Sequence, residues 1–183
     1  MLTIHRLAVC LLVSVAIGVS VAAQRGASTP PPSRDWLTFG ADVARSGVST
    51  AATGITAATV GSLKRRQIAI DEVVDASAIY LHGVVVNGAS HDTIFVTTTY
   101  GRTLALDLAS GATLWRHTPA GYDTWTGSRQ ITNATPVADP GRQFIYAASP
   151  GGRIEKLAVG DGHVVWSTAI TKHETKTVGG DQQ

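Results

Sequence analysis

Cysteine is almost absent from this chain of 183 residues. The single thiol, Cys10, lies inside an apolar N-terminal run that we predict to be removed on export. A mature chain without thiols has no disulfide framework, no sulfur ligand for a metal and no cysteine nucleophile. We therefore expect the folded protein to depend entirely on its packed core for stability.

Charge is also scarce. Only 15% of the residues are charged, against about 25% in typical soluble domains. The net charge is +2, and the longest basic cluster is Lys64-Arg65-Arg66. This balance predicts no nucleic-acid partner.

The 19 glycines, together with many threonines and valines and few lysines or glutamates, favour strands over helices.

Familiar catalytic motifs are missing as well. The sequence contains no G-x-S-x-G, phosphate-binding loop or paired-carboxylate signature, and its histidines show no H-E-x-x-H or H-x-H spacing. We place His91-Asp92 in a loop, where metal binding would need distant partners. A surface turn is the favoured interpretation of that pair, and the sequence predicts no metal site and no catalytic residue.

The first 23 residues have the pattern of a secretory signal peptide. A short basic start is followed by 17 uncharged residues, 7–23, which end in Val21-Ala22-Ala23. The alternative is an uncleaved anchor, but the run is shorter than the roughly 20 residues that span a bilayer. We predict cleavage before Gln24 and a periplasmic or secreted protein, with no membrane span after cleavage.

The rest of the chain divides by composition. Residues 24–34 form a Pro/Ser-rich linker, and residues 35–63 form an irregular segment in which we expect Trp36 and Phe39 to fix the chain to the domain surface. Residues 64–170 read as short strands, and residues 171–183 form a polar tail.

An internal repeat organises residues 64–170. The segment Ile94–Trp115 returns without a gap 51 residues later as Ile145–Trp166. Its glycines and its final tryptophan recur at corresponding points, which indicates a repeated unit that cannot bury its apolar face alone. In the first unit we predict an outer strand at 64–70 and strands at 76–81, with a continuation over 83–86 after a bend, 94–99, 102–107 and 112–117. Asn87-Gly88 predicts a tight turn.

Four-stranded units of this length, repeated radially, are typical of a β-propeller. The predicted fold class is therefore all-β, a partial propeller of about two four-stranded antiparallel blades after a signal peptide and an irregular segment. A β-sandwich is the main rival, because it shares short strands and glycine-rich turns. Propellers close with four to eight blades, so we expect a fragment with open sheet edges.

The stretch Ala105–Trp115 fits the pattern A-x-D-x-x-x-G-x-x-x-W. It resembles the tryptophan-docking repeat of the pyrroloquinoline quinone (PQQ) propeller family, which includes quinoprotein dehydrogenases and BamB-like propellers. In the second repeat Lys156 replaces Ala105 and Ala158 replaces Asp107. In physical terms, Gly111 permits positive φ, Asp107 can accept backbone N–H bonds, and Trp115 offers a broad face to a neighbouring blade.

The resemblance implies a binding or scaffolding module, or alternatively the N-terminal part of a PQQ-dependent dehydrogenase that oxidises alcohols or sugars. Quinoprotein dehydrogenases hold the quinone with calcium, an aspartate base and often a vicinal disulfide, and none of these can be matched to residues here. PQQ is therefore a cofactor suggested by the resemblance only. Other envelope proteins, or a chain that completes the ring, are the partners we consider.

The loop 119–133 joins the two units and is the candidate ligand site. It contains Tyr122, Asp123, Trp125 and Arg129. An aromatic ring beside a guanidinium suits a flat anionic ligand, so Trp125 and Arg129 are the predicted cofactor-binding residues. The alternative is that Trp125 and Tyr122 pack on blade edges while Arg129 is solvated.

Overall fold

A computed structural model describes residues 34–170. The predicted signal peptide, all but the last residue of the linker and the polar tail lie outside the described residues. Within residues 34–170, no helix is long and apolar enough to cross a membrane. The only helical elements there are a 3-10 turn at Val60–Ser62 and one short α-helix, α1, at Tyr122–Trp125.

The described chain forms two four-stranded antiparallel sheets, which confirms the predicted fold class. Blade 1 has the order β1-β2-β3-β4, with strands Ile79–Val86, Ala89–Thr97, Thr103–Asp107 and Thr113–His117. Blade 2 has the order β5-β6-β7-β8, with strands Val137–Ala138, Phe144–Ser149, Arg153–Ala158 and Val164–Ala169. Each blade is a simple meander in which consecutive strands are neighbours.

Local chemistry accounts for the tight turns of blade 1. Asn87 and Gly88, between β1 and β2, both have positive φ, 50° and 82°. A two-residue hairpin loop with this conformation matches the twist of its strands, and Asn-Gly is the sequence that adopts it most readily. Gly83 (φ 59°) lies at a register shift between Leu81 and Val84, so β1 bends there and continues to Val86.

The 51-residue repeat is also a repeat of structure. Ala105 pairs with Trp115 across β3 and β4, and Lys156 pairs with Trp166 across β7 and β8. In both blades the register shifts immediately after this pair. The first strands of the two blades are 58 residues apart, since Ile79 pairs with Phe95 and Val137 with Tyr146. Thr135 Oγ1 accepts a hydrogen bond of 3.2 Å from the backbone N–H of its equivalent, Ser77.

The main core lies between the two blades. Phe95, Ala105 and Trp115 of blade 1 pack in one cluster with Ile145 and Leu157 of blade 2. Trp115 is 7% exposed, and the other four are fully buried. Burying side chains of this size is the dominant stabilising contribution in a protein without disulfides.

The predicted outer strand at 64–70 is wrong. No strand forms there; the segment runs beside blade 1, and Ile68 and Ile70 pack on a small cluster of Val96, Leu104 and Leu106. The alternation of apolar residues correctly predicted a segment with one buried side. A strand also needs the edge of a neighbouring sheet, and blade 1 already has its four strands.

The irregular segment is fixed by the backbone of Trp36 and not by both aromatic residues. Trp36 and Tyr80 exchange backbone hydrogen bonds of 2.8 and 2.9 Å, and the carbonyl of Leu37 accepts one of 2.9 Å from Ala138. Phe39 is 50% exposed, so its predicted role in anchoring was wrong. Residues 36–37 thus touch both blades.

The packing at Gly162 leads to a stability prediction. A Cβ at Gly162 (φ 75°) would lie 2.5 Å from Cε3 of Trp115, whereas one at Gly127 (φ 78°) would meet nothing within 4 Å. Gly127→Ala should therefore cost only the strain of positive φ, about 1–2 kcal/mol. Gly162→Ala should cost a further 1–3 kcal/mol or so from overpacking. Urea unfolding of both variants measures the difference, and equal losses would contradict the tight docking of Trp115.

Candidate functional site

The tryptophan of the repeat joins the two blades. The indole N–H of Trp115 donates a hydrogen bond of 2.8 Å to the backbone carbonyl of Val159 in blade 2. The ring lies against Gly162, where only a residue without a side chain leaves room. A buried indole N–H needs such a partner, so this bond fixes both the position and the orientation of the ring. The predicted docking role of Trp115 has the geometry it requires.

Asp107 holds the turn between β3 and β4. Its Oδ1 accepts hydrogen bonds from the backbone N–H and the hydroxyl of Ser110, at 2.5 and 2.6 Å, and its Oδ2 lies 2.8 Å from Nδ1 of His91. These hydrogen bonds, that of the Ser110 hydroxyl first and that of His91 next, lower the pKa of Asp107 from 3.8 to about 2. Gly111 follows with φ 79°, as predicted.

The placement of His91-Asp92 in a loop was wrong. Both residues lie in β2, where His91 faces Asp107 and Asp92 Oδ1 lies 2.6 Å from Nδ1 of His82. Hydrogen bonds from the backbone N–H of Gly83, chiefly, and from His82 keep the pKa of Asp92 below its usual value. Among residues 34–170, no group of three or more histidines, cysteines and carboxylates is placed to hold a metal ion.

A histidine and a glutamate meet between the blades. Nε2 of His117, on β4, lies 2.6 Å from Oε2 of Glu155, on β7, and their side chains are only 11% and 9% exposed. Ser167 lies on the other side of the glutamate, with its hydroxyl 3.4 Å from Oε1. This contact joins two strands that are distant in sequence, so the sequence alone gave no signal of it.

Of the two predicted ligand-binding residues in the loop 119–133, Trp125 is buried and Arg129 is exposed. Trp125, at the end of α1, is 7% exposed and lies between two backbone segments, at Gly121 and Gly151. A Cβ on either glycine would come within 2.9 Å of Cζ2 of this ring. Arg129 is exposed. Binding of a cofactor by Trp125 and Arg129 remains a prediction.

A second cluster on the same loop was not foreseen. The guanidinium of Arg102 lies 4.2 Å from the ring centroid of Tyr122, pairs with Glu72 and donates a 3.1 Å hydrogen bond from Nε to Thr118. Tyr100 meets Tyr122 edge to face, with ring centroids 6.4 Å apart. Stacking and ion pairing together fix the start of the loop on blade 1.

A cleft of about 420 Å³ lies next to Trp125. Its lining includes Thr124, Gln130 and Arg153, and does not include Arg129. Arg153 donates a 2.9 Å hydrogen bond from Nε to Ser167, which holds its side chain in place. Arg153 is the repeat equivalent of Arg102, and that match was the one sequence signal that could have directed attention to it.

These features agree with comparisons to known proteins. A family profile described as "Outer membrane protein assembly factor BamB" matches residues 48–182. The chain belongs to this family of PQQ-repeat propellers. No curated protein matches the chain significantly.

Two solved structures match parts of this chain. Quinohemoprotein alcohol dehydrogenase from Comamonas testosteroni matches 73% of this chain and 19% of its own, with 23% identity and a TM-score of 0.51. BamB from Moraxella catarrhalis matches 51% of this chain and 24% of its own, with 20% identity and a TM-score of 0.34. The chain thus spans about a fifth to a quarter of the length of these proteins, and the first likeness shows the fold alone.

The lowered pKa of Asp107 predicts a specific acid sensitivity. A depressed folded-state pKa stabilises the fold above the unfolded value, near 3.8, and this contribution is lost as the pH falls towards about 2. Thermal melts between pH 5 and pH 2 should show a smaller fall in melting temperature for Asp107→Asn than for the unchanged chain. Asp123→Asn, at an exposed aspartate of α1, is the control and should leave the profile unaltered. Parallel profiles for all three proteins would contradict this role of Asp107.

Proposed function

We propose that the chain is an exported PQQ-repeat propeller module that binds or scaffolds other proteins in the periplasm or outside the cell. The observation that carries this proposal is that the residues of the repeat motif make structural contacts. Asp107 fixes its own turn and Trp115 joins two blades, so the most specific residues of the motif are engaged in architecture. A rigid assembly of sheets with exposed loops suits a binding role.

The alternative is part of a PQQ-dependent dehydrogenase that acts on alcohols or sugars. The cleft beside Trp125 supports it, because its volume lies within the range of small-molecule sites and Arg153 lines it. Trp125 would form its wall and Arg153 would neutralise a carboxylate of a flat anionic cofactor, with the exposed Arg129 of the same loop as the second predicted cation. Bound there, the quinone would supply a two-electron oxidation of the substrate.

Titration with PQQ and calcium distinguishes the two functions. We expect no saturable quenching of tryptophan fluorescence and no reduction of an artificial electron acceptor in the presence of alcohols or sugars. Tight binding with turnover would overturn the scaffolding proposal. If PQQ binds in the cleft, Arg153→Ala should weaken binding, because Arg153 is the cation that lines it. Arg129→Ala tests the second predicted binding residue, which is exposed and lies outside the lining. Arg116→Ala is the matched control, since Arg116 lies on β4 and does not line the cleft.

A further inference from the structure

The turn between β1 and β2 contains a side-chain amide that can react with its own backbone. In an asparagine-glycine sequence, the backbone nitrogen of the glycine can attack the side-chain carbonyl carbon of the asparagine, because glycine has no side chain to block the approach. The sequence has two asparagines, Asn87 and Asn133, and only Asn87 precedes a glycine. Asn133 precedes an alanine, whose methyl group hinders the same attack.

Water reaches the attacking group and the attacked group. Asn87 and Gly88 are both exposed, and a Cβ at Gly88 would meet nothing within 4 Å. The attack requires the backbone nitrogen of Gly88 to lose its proton. Among the described residues this N–H donates no hydrogen bond to a backbone carbonyl, so the proton is available to water.

Asn87 also belongs to the joint between the blades, by which we mean the hydrogen bonds of Asn87 and Trp115 to blade 2. The backbone N–H of Asn87 donates a hydrogen bond of 2.8 Å to the carbonyl of Gly160, and its Nδ2 donates one of 2.8 Å to the carbonyl of Leu114. Leu114 directly precedes Trp115, whose indole is bonded to Val159, the neighbour of Gly160. The amide of Asn87 therefore supports the strand that holds the docking tryptophan.

We propose that Asn87 is a site of spontaneous deamidation and that the modification loosens the joint between the blades. The backbone nitrogen of Gly88 loses its proton and bonds to Cγ of Asn87, ammonia leaves, and a cyclic imide forms. Water then opens the imide at one of its two carbonyls and leaves either aspartate or isoaspartate. The net change is the replacement of an amide NH2 by OH, with one water consumed and one ammonia released. Water is the only co-reactant.

The product cannot make the hydrogen bond of the original amide. An ionised carboxylate only accepts hydrogen bonds, so in place of the Asn87 amide it would face the carbonyl oxygen of Leu114 without a proton between them. Asn87 and Asp161 line one cleft of about 390 Å³. Hydrogen bonds from His163, that of its backbone N–H first, keep the pKa of Asp161 below its usual value. At neutral pH the modified turn would therefore bring a second negative charge to this cleft.

The isoaspartate product acts on the backbone as well. Its chain runs through the side-chain carbon of the former asparagine, which adds one atom to a two-residue turn and displaces the N–H that is bonded to Gly160. This inference goes beyond the proposed binding function and does not depend on it, so the two can fail separately.

Ageing the purified chain tests the reaction. After incubation in mildly alkaline buffer, peptide mass mapping should find the mass gain of an NH2-to-OH exchange at Asn87 and not at Asn133, the control within the same chain. Gly88→Ala should slow the reaction several-fold, because a methyl group hinders the attack; the site has room for it, at the cost of strain from positive φ. An unchanged mass at Asn87, or equal gains at the two asparagines, would overturn the proposal.

Unfolding in urea tests the effect on the joint. The aged unchanged chain and the fresh Asn87→Asp variant should both have a lower midpoint than the fresh unchanged chain. Aged Gly88→Ala should keep the midpoint of fresh Gly88→Ala, which separates deamidation from other damage. Amide hydrogen exchange in Asn87→Asp should become faster in β4 and in residues 158–163, and stay unchanged in residues 149–152 at the opposite end of β7. A modified chain with an unaltered midpoint and unaltered exchange would show that the joint does not depend on the amide.

Discussion

The bond between the indole of Trp115 and the carbonyl of Val159 is the contact on which the described structure depends. It works only if the partner blade offers a free carbonyl and, three residues later, a glycine that leaves room for the ring. Each blade must therefore carry a tryptophan that donates its indole N–H on the last strand. It must also have, in the turn before that strand, a carbonyl and a glycine that accept the tryptophan of the preceding blade. The spacing of glycine and tryptophan in the repeat follows from this requirement, and it gives the stack of blades a direction.

Features fixed by local chemistry could be predicted from the sequence. The Asn87-Gly88 turn, the positive φ of Gly111 and the capping of its turn by Asp107 each depend on residues within a few positions of one another. The predictions that were wrong concern residues whose contacts lie far away in the sequence. Residues 64–70 have the alternation of a strand but meet no sheet edge. His91 pairs with Val84 of β1, but its side chain finds its partner, Asp107, only on β3, which comes later in the chain.

The candidate loop 119–133 also combines features that are visible in the sequence with contacts to residues far along the chain. Its aromatic and basic residues were evident in the sequence, but the surroundings of Trp125 depend on Gly151, which belongs to a turn of the next blade. The cleft likewise takes its arginine, Arg153, from blade 2. The ion pair of Arg102 with Glu72 and the contact of His117 with Glu155 connect residues far apart in the sequence, and short sequence motifs do not reveal such pairs.

The outward sides of the two described blades are chemically unequal. At blade 1, Arg66 and Ile68 occupy the carbonyl and the glycine that a docking tryptophan would use, so the chain covers its own receiving surface. At blade 2, the docking tryptophan stays 40% exposed beside a lysine that replaces the small residue of the motif. At the same motif position Ala105 of blade 1 is fully buried, whereas Lys156 of blade 2 is partly exposed and lies over the ring of Phe144. The position therefore takes a small residue where a sheet covers it and an ammonium group where water reaches it, because burying an unpaired cation is unfavourable.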